Sequence, residues 1–133
     1  MKIFNFLLLF VIVGCTTHVQ KKDLAHLQGY WIVKEALAPN GEKRPFVGAD
    51  VVDFFELNEN KGFRKKLKPL LGNQFNSSND NIGFTVSLTD ESCMITYTRQ
   101  QLNWQEEIIA LDAHELKLKD ARGVVFIYNR YTP

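Results

Sequence analysis

Ile82-Gly83-Phe84-Thr85-Val86-Ser87-Leu88-Thr89, followed by Asp90-Glu91-Ser92 and then Cys93-Met94-Ile95-Thr96-Tyr97-Thr98-Arg99, is the stretch whose reading decides the fold. Phe84, Val86 and Leu88 alternate with Thr85, Ser87 and Thr89. A period of two sets one side chain row against a core and the other towards water, which is the pattern of a half-buried strand. Asp90, Glu91 and Ser92 then interrupt the run with residues that favour a tight turn. Two strands and a short link make an antiparallel hairpin.

The same grammar extends in both directions. Strands are expected at 30–37, 51–57, 62–68, 82–89, 93–99, 102–111, 115–119 and 124–131, with a weaker one near 74–76. Pro39-Asn40-Gly41, Asn58 to Gly62 and Asp120-Ala121-Arg122-Gly123 supply turns. The one helical feature expected is a short N-terminal turn over 23–28, with Leu24 and Leu27 towards the core. Strands this numerous, joined by hairpin links, imply an all-β protein. Closing the meander into a single antiparallel up-and-down barrel of about eight strands removes the exposed edges.

The first fifteen residues follow different rules. Lys2 precedes an apolar run over 3–13, broken by Asn5. That run falls short of the roughly 20 residues a membrane-spanning helix needs, so it reads as a secretory signal. Ile12-Val13-Gly14-Cys15 resembles the bacterial lipobox, in which a small residue precedes a cysteine that takes lipid. The resemblance implies cleavage before Cys15 and a membrane partner reached through acyl chains such as palmitate. Each buried methylene contributes about 0.8 kcal/mol, and stable anchoring takes more than one chain. Thr16 stands where an Asp would resemble an inner-membrane retention signal, which favours the outer membrane. The expected organisation is a signal peptide at 1–14, a lipidated cysteine and flexible tether at 15–26, and one barrel domain at 27–133.

Without residues 1–14 the chain has 119 residues with 15 basic and 15 acidic side chains. That length supports one core, and the balance argues against a nucleic-acid partner. Lipid on Cys15 leaves Cys93 without an intrachain partner, so no disulfide is expected. His18, His26 and His114 lack metal-ligand spacing, and neither a metal nor another cofactor is expected. The chain has no nucleophile elbow, no phosphate loop and no local triad spacing, so the expectation is a protein that is not an enzyme.

Gly29-Tyr30-Trp31 opens the first long strand, and Arg130 lies near the end of the last. This Gly-x-Trp with a late Arg resembles the lipocalin signature, and the overall length and lipobox resemble small lipocalin-like bacterial lipoproteins. The resemblance implies that Arg130 stacks on Trp31 to close one end of the barrel, and that the barrel binds a small hydrophobic or amphipathic molecule.

Strand parity nominates the cavity. Glu35 shares a face with Trp31, Val33 and Leu37; Asp53 with Val51, Phe55 and Leu57; and Lys65 with Phe63 and Leu67. Arg99 aligns with Ile95 and Tyr97, and Glu106 with Trp104 and Ile108. A candidate ligand cavity is therefore built from Glu35, Phe55, Phe63, Phe84 and Tyr97, together with Arg99, Trp104, Glu106 and Tyr128. Charges held inside must pair with one another, with water or with a ligand. The competing expectation is that these aromatics form a dry core and that bulges flip the parity, with Glu106-Glu107-Ile108-Ile109 a specific site for one. Such a filled barrel would be a scaffold docking on another envelope component, with 72–81 as a contact loop. The basic run over 61–68 admits two readings, a grip for anionic groups or an edge strand guarded by lysines.

Overall fold

The computed structural model describes residues 18–48, 50–72, 74–77 and 81–133. The expected signal segment at 1–14, Cys15 and part of the 72–81 loop lie outside the described residues.

Among the described residues ten strands follow one short helix: β1 (Gly29–Leu37), β2 (Lys43–Pro45), β3 (Val52–Asn58), β4 (Lys61–Pro69), β5 (Phe75–Ser77), β6 (Ile82–Leu88), β7 (Cys93–Arg99), β8 (Leu102–Leu111), β9 (Glu115–Lys119) and β10 (Val125–Tyr131). Eight of them run in the order β10-β9-β8-β7-β6-β4-β3-β1, and β1 pairs back onto β10 to close an antiparallel barrel. β2 extends the β1 wall and β5 extends the β4 wall. The decisive stretch behaves as its alternation predicts: Phe84, Val86, Cys93, Ile95 and Tyr97 are buried, and Thr85 and Ser87 are exposed.

The two ends of the barrel differ. At one end a 3-10 helix over Lys21–Leu27 caps the opening, its start fixed by the Gln20 amide donating to Asp23 Oδ2 at 2.9 Å. Leu27 is fully buried, and Val19 also belongs to the core. His18 Nε2 lies 2.9 Å from the Thr89 carbonyl oxygen. The flexible tether expected over 15–26 is therefore corrected from His18 onward. Val19 and the apolar face of the helix have core surface to bury, and they bury it. The other end is an open mouth, bordered by β2, β5 and the turns that follow β7 and β9.

Two bulges reset the side-chain parity. One falls between Val33 and Glu35 on β1. Trp31, Val33 and Ala36 face inward opposite Arg130, Tyr128 and Phe126, whereas Glu35 pairs with Ile127 on the outer face. Glu35 and Leu37 are thus removed from the expected interior, because the extra residue reverses the alternation. The other bulge lies between Ile108 and Ala110, inside the segment singled out for one, and leaves Glu106 and Ile108 inward.

β4 carries the largest correction. Phe63, Lys65 and Leu67 form its outer row, with Lys65 Nζ 5.9 Å from the Phe54 ring centroid and 6.0 Å from that of Phe63. The inner row is Gly62, Arg64 and Lys66. An apolar outer row is possible because the outside of this wall is itself packed. Tyr30 contacts Phe54 at 4.9 Å and stacks on Phe75 of β5 at 5.3 Å, while Phe75 meets Tyr131 at 6.3 Å. β4 lies between β3 and β6, so the guarded-edge reading of the basic run is also corrected. Its cations divide between the two faces and form no single grip.

Candidate functional site

An eight-stranded barrel has an interior just wide enough for side chains to fill or for one small ligand. Here the closed half is filled by Trp31, Phe55, Phe84, Ile95, Ile108 and Leu116, all buried. Trp31 Nε1 donates to the Leu27 carbonyl at 2.9 Å. The Arg130 guanidinium lies 3.9 Å from the Trp31 ring centroid, where the quadrupole of the indole face attracts a cation. The same guanidinium donates to the carbonyls of Ala113, Gln28 and His26, tying β10 to the β8–β9 turn and to the helix end. Gly29, with φ +124°, leaves room for it; a Cβ there would meet Arg130 Nη1 at 2.6 Å.

Midway up the barrel Arg64 points inward, its side chain 12% exposed. Its Nη1 donates to Tyr97 Oη at 2.9 Å and to Glu106 Oε1 at 3.0 Å. Its Nη2 donates to Asp53 Oδ2 and to Tyr128 Oη, each at 3.0 Å. The guanidinium carbon also lies 4.8 Å from the centre of the Phe55 ring. Burial works against the Arg64 charge, but the phenols and the two carboxylates outweigh it and hold its pKa above the ordinary value. Burial likewise pushes the phenol of Tyr97 well up, and that of Tyr128 in the same direction, against the opposing pull of Arg64. Both tyrosines are therefore neutral hydrogen-bonding groups at physiological pH.

One atom of this cluster is incompletely satisfied. Asp53 Oδ1 is buried and accepts no hydrogen bond. Lys66 Nζ lies 3.5 Å from it, close enough for an ion pair but outside good hydrogen-bond geometry.

Above the cluster the mouth opens into a cleft of about 440 Å³, with Arg64, Glu106 and Tyr128 at its floor and Trp104, Phe126 and Lys66 among its walls. Trp104 stacks on Tyr97, their centroids 5.3 Å apart, and remains 39% exposed, so one indole face is available to the cleft. The turn at Asp120 forms part of the rim. Asp120 Oδ1 accepts from the amides of Arg122 and Val124, and Asp120 Oδ2 accepts from Arg122 Nη2 at 2.7 Å. A larger groove of about 780 Å³ lies at the closed end between Leu24, Ala25, Leu57, Val86 and Leu88. No buried charge lines it, whereas apolar surface and buried polar groups converge at the mouth, as small-molecule sites require.

Of the residues nominated from sequence, Phe55, Phe84, Tyr97, Glu106 and Tyr128 come together inside and Trp104 joins them at the mouth. Phe55 and Phe84 lie below the Arg64 cluster and pack on each other at 6.0 Å, as core. Phe63 is on the outer wall, Glu35 is turned outward, and Arg99 stands at the exposed end of β7. Arg64 itself was missed. The signal for it was Gly62: a Cβ there would lie 1.9 Å from the Glu56 carbonyl oxygen and 2.9 Å from the Phe84 ring, which marks that row as the crowded inner one. Among the described residues no group of His, Cys, Asp and Glu is arranged to hold a metal ion.

No family model matches the chain, and no curated protein matches it. Among solved structures it resembles a lipocalin-like protein from Bacteroides uniformis at a TM-score of 0.50 and 12% identity, over 80% of this chain and 99% of that one. An uncharacterized protein from Bacteroides eggerthii gives a TM-score of 0.50 at 10% identity, over 79% of this chain and 99% of that one. Identities this low speak to the fold alone. The fold is a lipocalin-like antiparallel barrel, closed by β1 against β10.

Proposed function

We propose that this chain is a lipid-anchored, lipocalin-like binding protein of the bacterial envelope that holds a small amphipathic molecule in the mouth of its barrel. The observation that carries the reading is the 440 Å³ cleft, with an exposed face of Trp104 above a floor of buried polar groups. It gives a ligand an apolar wall and fixed polar partners, while the filled lower half leaves no room for a deep calyx. The alternative, a filled barrel acting only as a scaffold, does not account for that arrangement at the open end.

The anchoring part of the proposal rests on Ile12-Val13-Gly14-Cys15, and Thr16 after the cysteine supports the outer membrane. Three peptide units join Cys15 to His18, a span of at most about 11 Å. With His18 against Thr89 at the closed end, the mouth would then point away from the bilayer. Labelled palmitate should enter the wild-type chain and be lost in Cys15→Ser; label retained in that variant would refute the anchor. Native mass spectrometry of protein purified from its own membranes should show a bound small molecule. Protein that carries none, and takes up none of dodecanol, dodecylamine or dodecanoate, would overturn the binding reading.

A further inference from the structure

The cluster beneath the mouth site holds two carboxylates and one guanidinium. Asp53 and Glu106 each take a single 3.0 Å contact from Arg64, and their side chains are only 7% and 11% exposed. The second Asp53 oxygen, Oδ1, has no hydrogen bond, and the charge facing it is Lys66 Nζ, on a side chain that is 65% exposed. Lys66 lines the cleft and Asp53 lies behind it, so a ligand reaches Oδ1 by taking the place of the Lys66 ammonium.

The cations at the mouth invite the opposite expectation, an anionic ligand drawn to Arg64, Lys66 and Arg122. Their existing partners argue against it. Arg122 is held by Asp120 at 2.7 Å. An anion could engage Arg64 only by displacing Asp53 or Glu106, leaving a buried carboxylate unpaired, which is strongly unfavourable. A cationic headgroup has an easier exchange. It need displace only the solvated ammonium of Lys66, which stands 3.5 Å from Oδ1 outside good hydrogen-bond geometry, and it can add the hydrogen bond that Asp53 Oδ1 lacks. The free face of Trp104 and the nearby Phe126 then accommodate both the positive charge and an apolar chain.

Building on the ligand-binding reading above, we propose that the mouth selects amphiphiles with an ammonium headgroup, bound at Asp53 Oδ1 with the chain along Trp104. The test is calorimetric titration of the exported Cys15→Ser chain, free of its own lipid, with dodecylamine, dodecanol and dodecanoate below their micelle concentrations. Dodecylamine should bind at least about tenfold more tightly than either of the others. Lys66→Met, a surface change that removes the competing ammonium, should strengthen amine binding severalfold. Asp53→Asn should abolish the preference for the amine. Dodecanoate or dodecanol binding as tightly as dodecylamine would overturn the headgroup assignment while leaving a ligand site in place. No binding of any of the three would overturn both this assignment and the binding reading.

Discussion

Arg64 and Glu106 meet at 3.0 Å across the barrel interior, joining β4 to β8, which are not neighbours in the sheet. The bond is a strut between opposite walls, and Asp53 shares its cation. Arg64→Ala would leave the buried Glu106 carboxylate without its counter-charge and Asp53 with only the solvated ammonium of Lys66. Its predicted cost is about 3–5 kcal/mol, measured as a lower midpoint in urea unfolding. Replacing the three together by apolar residues of similar size should cost much less, because no charge is left stranded. A triple variant as unstable as Arg64→Ala would argue against charge pairing as the cause.

The closed end offers a second test. Arg130 stacks on Trp31 and donates to three main-chain carbonyls. Arg130→Ala should destabilise the barrel by roughly 2–3 kcal/mol, summing a cation–π contact and partly exposed hydrogen bonds. Arg130→Lys should rescue little, since a single ammonium cannot reproduce the planar fork. Full recovery with lysine, read by thermal unfolding, would show that charge alone matters there.

Two glycines should respond in opposite ways. Gly62→Ala drives a Cβ to 1.9 Å from a backbone oxygen, so the β3–β4 hairpin must move and folding should be severely impaired. Gly83, with no atom within 4 Å of a built Cβ, should accept alanine and gain about 0.5–1 kcal/mol from a less flexible unfolded chain. Urea unfolding of both variants checks the pair, and equal effects would contradict the assigned inner and outer rows.

High pH should unfold the protein through its buried acids. Burial, with a smaller contribution from Glu107, pushes the Cys93 thiol up to about 11, and burial also raises Tyr97 and Tyr128. A folded-state pKa above the unfolded one means that the folded state binds more protons in the window between them. The stability these groups contribute is therefore complete below the unfolded thiol value of about 8.5 and falls as pH rises towards 11. Cys93→Val should remove the thiol's share of that decline, measured by unfolding midpoints between pH 8 and 11. In a tyrosine absorbance titration, Tyr97 and Tyr128 should stay protonated until the barrel opens.

Much of this architecture was legible in the sequence, for definite reasons. Phe84, Val86 and Leu88 alternate without interruption, so β6 and β7 could be placed and faced correctly. The Asn, Asp and Gly clusters marked the hairpin links, and Gly29-Tyr30-Trp31 with Arg130 marked where the barrel meets itself. The errors occurred where parity alone does not determine direction. β4 has an apolar row and a charged row, and the apolar one faces outward because Phe54, Tyr30 and Phe75 pack that outer wall. Those partners are distant in sequence. Glu35 was misplaced by a single-residue bulge, which changes direction without changing composition. The acids Asp53 and Glu106 were both placed inward, but the interior cations were expected at Lys65 and Arg99 rather than at Arg64.

The two tryptophans allow the central claim to be tested within one sample. Trp104 lines the mouth, whereas Trp31 is buried at the closed end with its indole N–H on the Leu27 carbonyl. In a proton–nitrogen correlation spectrum, adding dodecylamine should shift the Trp104 indole signal with saturation and leave that of Trp31 in place. A shift at Trp31, or no shift at Trp104 while the amine binds, would contradict a ligand site at the open mouth.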